Sequence, residues 1–205
     1  MTDTEYIRNL RTPTADDPLR ILMSACFTGV VCGFDNQAYT GYPTIVKLLQ
    51  YDNIKVSKFC PEDYSFGTPR ALCDIHGGDG YDVLDGKARV LTEEGVDWTD
   101  GMIKGAANML AIAQKNDVEL AVLMDVSAAC GSQVIYNGPR RAEQPVHQIG
   151  AGVAAAMLIR NGIKVISQRD YASLEILYSK LDPQHNINND AVDHLNSEWV
   201  VNNLR

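Results

Sequence analysis

Short apolar runs alternate along this chain with stretches whose apolar residues recur at helical spacing. RILMSA (20–25), IKVSKF (54–59), ELAVLMDV (119–126) and IKVIS (163–167) have strand length, and ELAVLMDV is apolar enough to be buried on both faces. Between them, YPTIVKLLQY (42–51) places Ile45, Val46, Leu48 and Leu49 on one helical face, with Pro43 at the first helical position. TDGMIKGAANMLAIAQKN (99–116) repeats Met102, Ile103, Ala106, Met109, Leu110 and Ala113 at the same spacing, with Thr99 as the expected N-cap. AGVAAAMLIRNG (151–162) reads as a helix stopped by Asn161–Gly162, and YASLEILYSK (171–180) as another. After Asp182, HLNSEWVVNNLR predicts a last amphipathic helix. Residues 61–89, rich in Gly, Pro and Asp, read as a long functional loop. VLDGKARVLT (83–92) adds a strand or hairpin turning at Asp85–Gly86.

Strands that alternate with helices imply right-handed crossovers, hence an α/β fold whose parallel sheet carries helices on both faces. Residues 1–19 read as an N-terminal arm, 20–170 as a single α/β domain, and 171–205 as a C-terminal helical extension packed on it. Ligands of such sheets bind beyond the carboxyl ends of the strands. Cys26, Cys60 and Cys130 each stand just past such an end, so one fold can bring three thiols together.

The 205 residues suffice for one domain with a real core. A net charge of −8 and an isoelectric point near 4.9, with no basic cluster, exclude a nucleic-acid backbone as main partner. No run reaches membrane-spanning length, and MTDTEYIRNL is neither cationic nor apolar enough for a signal peptide. The expectation is a cytoplasmic protein, not at a membrane, acting on a small molecule. Its oligomeric state is not legible.

In a reducing compartment the five cysteines are buried fillers, nucleophiles or metal ligands. Zinc usually borrows histidine, and His76, His147, His185 and His194 all lie outside the three cysteine segments. An all-thiolate set favours an iron–sulfur cluster, although the gaps are unlike the compact runs of ferredoxins. Three buried structural thiols are the alternative at this point. HGGDG (76–80) lacks the context and lysine of a phosphate loop, and no G-x-G-x-x-G follows a strand, so no flavin or nicotinamide site is expected.

Seven segments, in order over about residues 20–168, carry a family resemblance: SACFTGVVCGFDN (24–36), FCPE (59–62), TPR (68–70), VLDGKARV (83–90), SAACG (127–131), IYNG (135–138) and RNGIKV (160–165). Together they resemble the YbbK-like, 2-thiouracil desulfidase family, whose usual forms are SACLLG, C[RK]YDG, CPE, TPRPP, DGKARV, SPSCG and RNGIKVFSE. The resemblance implies a Rossmann-like α/β fold, a 4Fe-4S cluster held by three cysteines, and non-redox removal of sulfur from a thiolated pyrimidine. On the matching positions the ligands are Cys26, Cys60 and Cys130. The chain departs from the pattern at Gly33, Phe34 and Asn36, where a basic residue, Tyr and Gly are usual, and at Ala128 and Ala129, where Pro and Ser are common. DYSFGTPRALC lacks the family's glycine-rich stretch, and Tyr64 and Phe66 are expected to line the substrate pocket.

Glu62, two residues after Cys60 across the stiff Pro61, is the expected acid/base, against the plainer reading of a helix-start carboxylate. Ser127 and Ser24 read as hydrogen-bond donors to cluster or substrate, or as turn caps. Asp35 orients its loop or contacts a ring N–H, with a surface turn as the alternative. Arg70 pairs with Glu62 or binds an anionic substrate, a structural clamp being the commoner role. Cys32 reads as a buried thiol beside the ligands and Cys73 as packing. The expected function is a cluster-dependent desulfidase releasing hydrosulfide from a thiolated heterocycle such as 2-thiouracil. The alternatives are a non-catalytic iron–sulfur or sulfide-binding carrier or sensor, and, third, a zinc protein.

Overall fold

The computed structural model describes residues 2–205. Its centre is a four-stranded parallel sheet ordered β2-β1-β5-β8, built from β1 (Leu19–Ser24), β2 (Ile54–Phe59), β5 (Leu120–Leu123) and β8 (Val165–Ser167). Strand β1 lies inside, pairing Ile21 with Val56 on one side and with Leu120 on the other. It is buried at every position except Arg20, and β5 is buried throughout, as strands covered on both faces must be. Strand β2 is an edge, and its exposed Lys55 and Lys58 suit it to that place.

Two apolar clusters sandwich the sheet. On one face Leu22, Ala121, Leu123 and Val165 pack against Met102, Ala106, Met109 and Ala113 of α5 (Thr99–Lys115) and Ala154, Ala155 and Leu158 of α6 (Val153–Arg160). On the other, Ile21, Met23, Leu120, Val122 and Ile166 meet Ile45 and Leu48 of α2 (Pro43–Leu48) and Leu174, Leu177 and Tyr178 of α7 (Tyr171–Leu181). The same cluster takes Ile7 from α1 (Asp3–Asn9), a helix started by a capping box of Thr2 and Glu5. The chain is thus a mixed α/β single domain with helices on both faces of its sheet.

Residues 61–89 are not the loop that composition predicts. They hold α3 (Pro61–Phe66), β3 (Cys73–His76) and α4 (Gly80–Leu84), with β3 antiparallel to β4 (Arg89–Thr92). Each element is too short for its apolar period to show, and each is set by ends instead. Pro61 starts α3, an Asp79–Asp82 capping box starts α4, and Gly86 at φ 73° turns out of α4 into β4 rather than joining two strands. HGGDG is therefore the cap of α4. Thr99 does not cap α5 either: Trp98 holds that position, and the Thr99 hydroxyl accepts from the Val90 N–H. An antiparallel pair the pattern gave no sign of, β6 (Val134–Tyr136) with β7 (His147–Ile149), precedes α6. The chain ends in α8 (Glu198–Leu204), within the expected last helix.

Candidate functional site

The chain runs from β1 outward to β2 on one side and from β5 outward to β8 on the other, and a crevice opens at the carboxyl ends of β1 and β5, where the direction of connection reverses. Three turns feed it. Ser24 ends β1, and the single 3-10 turn Ala25–Thr28 carries Cys26. Cys60 follows β2 and caps α3, its Sγ accepting from the Asp63 N–H at 3.4 Å. Cys130 ends the turn that follows β5. All eight residues singled out from sequence, Ser24, Cys26, Asp35, Cys60, Glu62, Arg70, Ser127 and Cys130, line one cavity of about 390 Å³.

Cys32 lines it too. The Cys60 thiol donates to the Cys32 carbonyl at 3.8 Å, and interaction with the neighbouring Cys26 thiol is the main cause that pushes the Cys32 pKa up to about 12. The Cys60 thiol is raised by its bond to Cys32 and then by burial, and that of Cys130 by burial and then by the neighbouring Cys60. Thiols so crowded resist ionisation until a positive charge joins them, and a bound metal centre supplies one. Among the described residues no three His, Cys, Asp or Glu side chains close on a single ion. Soft thiol donors around one cavity, with no histidine among the described residues that line it, are the donor set an iron–sulfur cluster takes, whereas zinc usually borrows histidine.

Glu62 is held from two sides. Arg70 Nη2 donates to its Oε2 at 2.9 Å and Nε at 3.3 Å, while the Ser127 hydroxyl donates to Oε1 at 3.4 Å. Arg70 is almost wholly buried and also donates to the Cys32 and Gly67 carbonyls, so it is a clamp spanning three segments of the site. Of its two expected roles Ser127 fills the turn-capping one, its oxygen accepting from the Ala129 and Cys130 N–H groups. Ser24 accepts from the Met124 N–H at 2.9 Å, stitching β1 to the end of β5, and its hydroxyl lowers the Cys130 thiol's pKa against the effect of burial.

Asp35 accepts from the Tyr39 hydroxyl at 2.8 Å and from the Gln37 N–H. Next to it, Asn36 takes φ 60°, a left-handed turn that Asn tolerates and that explains why the resembled pattern carries Gly there. Gly33 stands where that pattern has a basic residue, and a Cβ there would lie 2.7 Å from the Tyr39 hydroxyl. Tyr64 and Phe66 do not line the cavity, contrary to expectation. Tyr64 lies against Phe59, and Phe66 stacks on Trp98 with ring centroids 4.0 Å apart. The aromatic walls are Phe34, Tyr39, Tyr42, Phe59 and Tyr136. Sequence reasoning also missed Tyr39 and Arg169. Arg169 was findable, because it lies just past the carboxyl end of β8 as the thiols lie past theirs.

The turn bearing Cys130 is gripped along its length. Amides at the start of α6 donate into it: Gly152 to the Gly131 carbonyl at 2.7 Å, Val153 to Ala128 and Ala154 to Ala129 at 2.9 Å. These bonds satisfy helix-end N–H groups that otherwise have no partner. A Cβ at Gly152 would sit 2.6 Å from the Ala129 carbonyl carbon, so only glycine fits there. At the other end Val126 adopts φ 58°, a conformation that a β-branched residue takes only when its surroundings force it.

Comparison with known proteins agrees with this geometry. Residues 21–170 match the model of the 2-thiouracil desulfurase family. The uncharacterised protein YbbK of Bacillus subtilis (strain 168) is 38% identical over 151 residues, 73% of this chain and 96% of YbbK. The solved structure of the 4Fe-4S-dependent thiouracil desulfidase TudS superposes with a TM-score of 0.65 at 30% identity, covering 78% of this chain and 98% of that one.

Proposed function

The chain belongs to the 2-thiouracil desulfurase family, and on that premise we propose that it removes sulfur, without net redox change, from a thiolated small heterocycle such as 2-thiouracil. Water replaces the sulfur: the C=S carbon gains oxygen and the sulfur leaves as hydrosulfide. The observation that carries this reading is one cavity in which three thiols from adjacent strand ends face a carboxylate clamped between Arg70 and Ser127.

Cys26, Cys60 and Cys130 would hold the 4Fe-4S cluster that TudS depends on, and Cys32 would stand beside them. When bound through three cysteines, such a cluster supplies a soft Lewis-acidic iron that polarises the carbon–sulfur bond. The remaining work falls to the protein. Glu62 takes the proton of the attacking water, with Arg70 fixing the carboxylate and Ser127 bridging it to the Cys130 turn. Asp35, steadied by Tyr39, faces the ring N–H of the heterocycle, and Ser24 supports the Cys130 sulfur. A carrier or sensor would use the same thiols but has no need of a carboxylate held over them, so Glu62 favours the enzyme. No helix among the described residues is long and apolar enough to cross a membrane, and the proposed partner is the small thiolated substrate alone.

Anaerobic reconstitution with iron and sulfide, followed by 2-thiouracil turnover read as uracil and sulfide, tests the proposal. Glu62→Gln is expected to keep the cluster's visible spectrum and lose about 10²–10⁴-fold in turnover. Full activity in that variant removes Glu62 from the mechanism, and a clusterless reconstituted protein removes the mechanism itself.

A further inference from the structure

The family match ends at residue 170, yet the chain beyond it returns to the site through a buried histidine. His194 sits in the 3-10 turn His194–Asn196, and its Nδ1 hydrogen-bonds Asp125 Oδ2. The Asp125 side chain is completely buried, just past the end of β5. Its other oxygen, Oδ1, faces the N–H groups of Ser132, Gln133 and Val134 at 3.2, 3.5 and 3.4 Å. Asp125 thus pins together the two ends of the segment 126–131, which contains Ser127 and Cys130. The tail is latched to the same place by two further bonds: the His194 N–H to Asp170 Oδ1 at 3.0 Å, and the Leu195 N–H to Gln133 Oε1 at 3.1 Å. Gln133 Nε2 joins the pair by donating to Asp170 Oδ2 at 2.7 Å.

Three long amide contacts are a weak set of partners for a buried carboxylate, and among the described residues His194 is the one side chain that hydrogen-bonds it. Without that partner Asp125 must reach water, and the segment it pins opens with it. Val126, held at φ 58° inside this segment, has an ordinary conformation to relax into once the ends part. We infer that His194 is a positioning residue for Cys130: through Asp125 it holds shut the turn that presents this thiol to the cavity. Its consequence for turnover rests on the desulfidase reading; the positioning itself does not.

The test therefore uses iron-free full-length protein and needs neither cluster nor substrate. Iodoacetamide labelling of Cys130 is followed by mass spectrometry, with Cys73, buried in β3, as internal reference. His194→Leu, which keeps volume and removes the ring nitrogen, is expected to speed Cys130 labelling about tenfold or more while Cys73 is unchanged, as local opening requires. His194→Asn, whose amide restores a donor toward Asp125, is expected to return Cys130 to near wild-type protection. Unchanged Cys130 labelling in His194→Leu, or a rise shared equally by Cys73, overturns the inference. If the variants do not fold, hydrogen exchange in the unmodified chain decides. The amides of Ser132, Gln133, Val134 and His194 are expected to exchange as one unit, and exchange of His194 far ahead of the other three overturns it. Absence of turnover in the wild-type enzyme would sink the desulfidase reading and leave these results standing.

Discussion

Arg70 and Glu62 meet through two nitrogens of one guanidinium and a single carboxylate oxygen, at 2.9 and 3.3 Å. That fixes one oxygen and leaves the other to Ser127 and the cavity. Arg70→Ala is expected to lower turnover about 10- to 100-fold, as removal of an orienting partner does, and to destabilise the fold by about 1–3 kcal/mol through unpaired carbonyls. Arg70→Lys restores charge but not the fork, so its kinetics are expected to stay close to those of Arg70→Ala. Steady-state kinetics with thermal melts check both.

Single Cys→Ser variants separate ligands from bystanders. Reconstituted iron is expected to fall from about four per chain to below one in the variants of Cys26, Cys60 and Cys130. Cys73→Ser, deep in the core beside β4, is expected to keep its iron, as is Cys32→Ser. Iron loss in Cys32→Ser equal to that in Cys60→Ser would make Cys32 a ligand.

Gly152→Ala forces a methyl group against the Ala129 backbone, which cannot give way without moving Cys130. The expected cost is about 1–3 kcal/mol, with slower cluster uptake during reconstitution. Denaturant melts and the growth of visible absorbance measure the two effects. Unaltered values for both would mean that the helix start and the thiol turn are not tightly joined.

Asp170 gives a pH signature. Burial is the largest influence and raises its pKa to about 7, against opposing bonds from the Ser167 and His194 amides. Raised above its unfolded value of about 3.9, the carboxyl contributes stability that is complete below that value and lost as pH rises through about 7. Asp170→Asn should be less stable overall, because it gives up acceptors. Its change in stability between about pH 4 and about pH 7 should nonetheless be more favourable than that of the wild type. Parallel pH profiles for the two proteins, read by urea melts, would contradict this.

The strands that build the crevice are readable because residues 21–23 and Leu120–Leu123 are continuous apolar runs, and burial on both faces leaves no other use for them. Cys26 and Cys130 are readable because each follows such a run, and Cys60 because it follows the alternating edge strand β2. Short elements without an apolar run of their own escape that logic. Val134–Tyr136 and His147–Ile149 form strands only by pairing with each other across the intervening loop, a long-range choice without local period. Tyr64 and Phe66 mislead because α3 turns them toward Phe59 and Trp98, and a six-residue helix reveals no facing before its packing is known. The latch at His194 leaves no mark on its neighbours in sequence, since its partners at Asp125, Gln133 and Asp170 are gathered only by the finished fold.

Adjacency of β2, β1 and β5 carries one last implication. Main-chain pairing sets neighbouring strands about 4.8 Å apart. The anchor points of Cys60 and Cys26 are therefore ruled off by the lattice of the sheet, whatever route the chain takes between them, while Cys130, farther from β5, is carried on the turn that α6 and Asp125 hold. Insertions or deletions in the long excursions 29–53 and 67–118 can reshape who enters the cavity while the grid beneath the sulfurs stays the same. Substrate choice and metal-holding geometry are, in this architecture, separately adjustable.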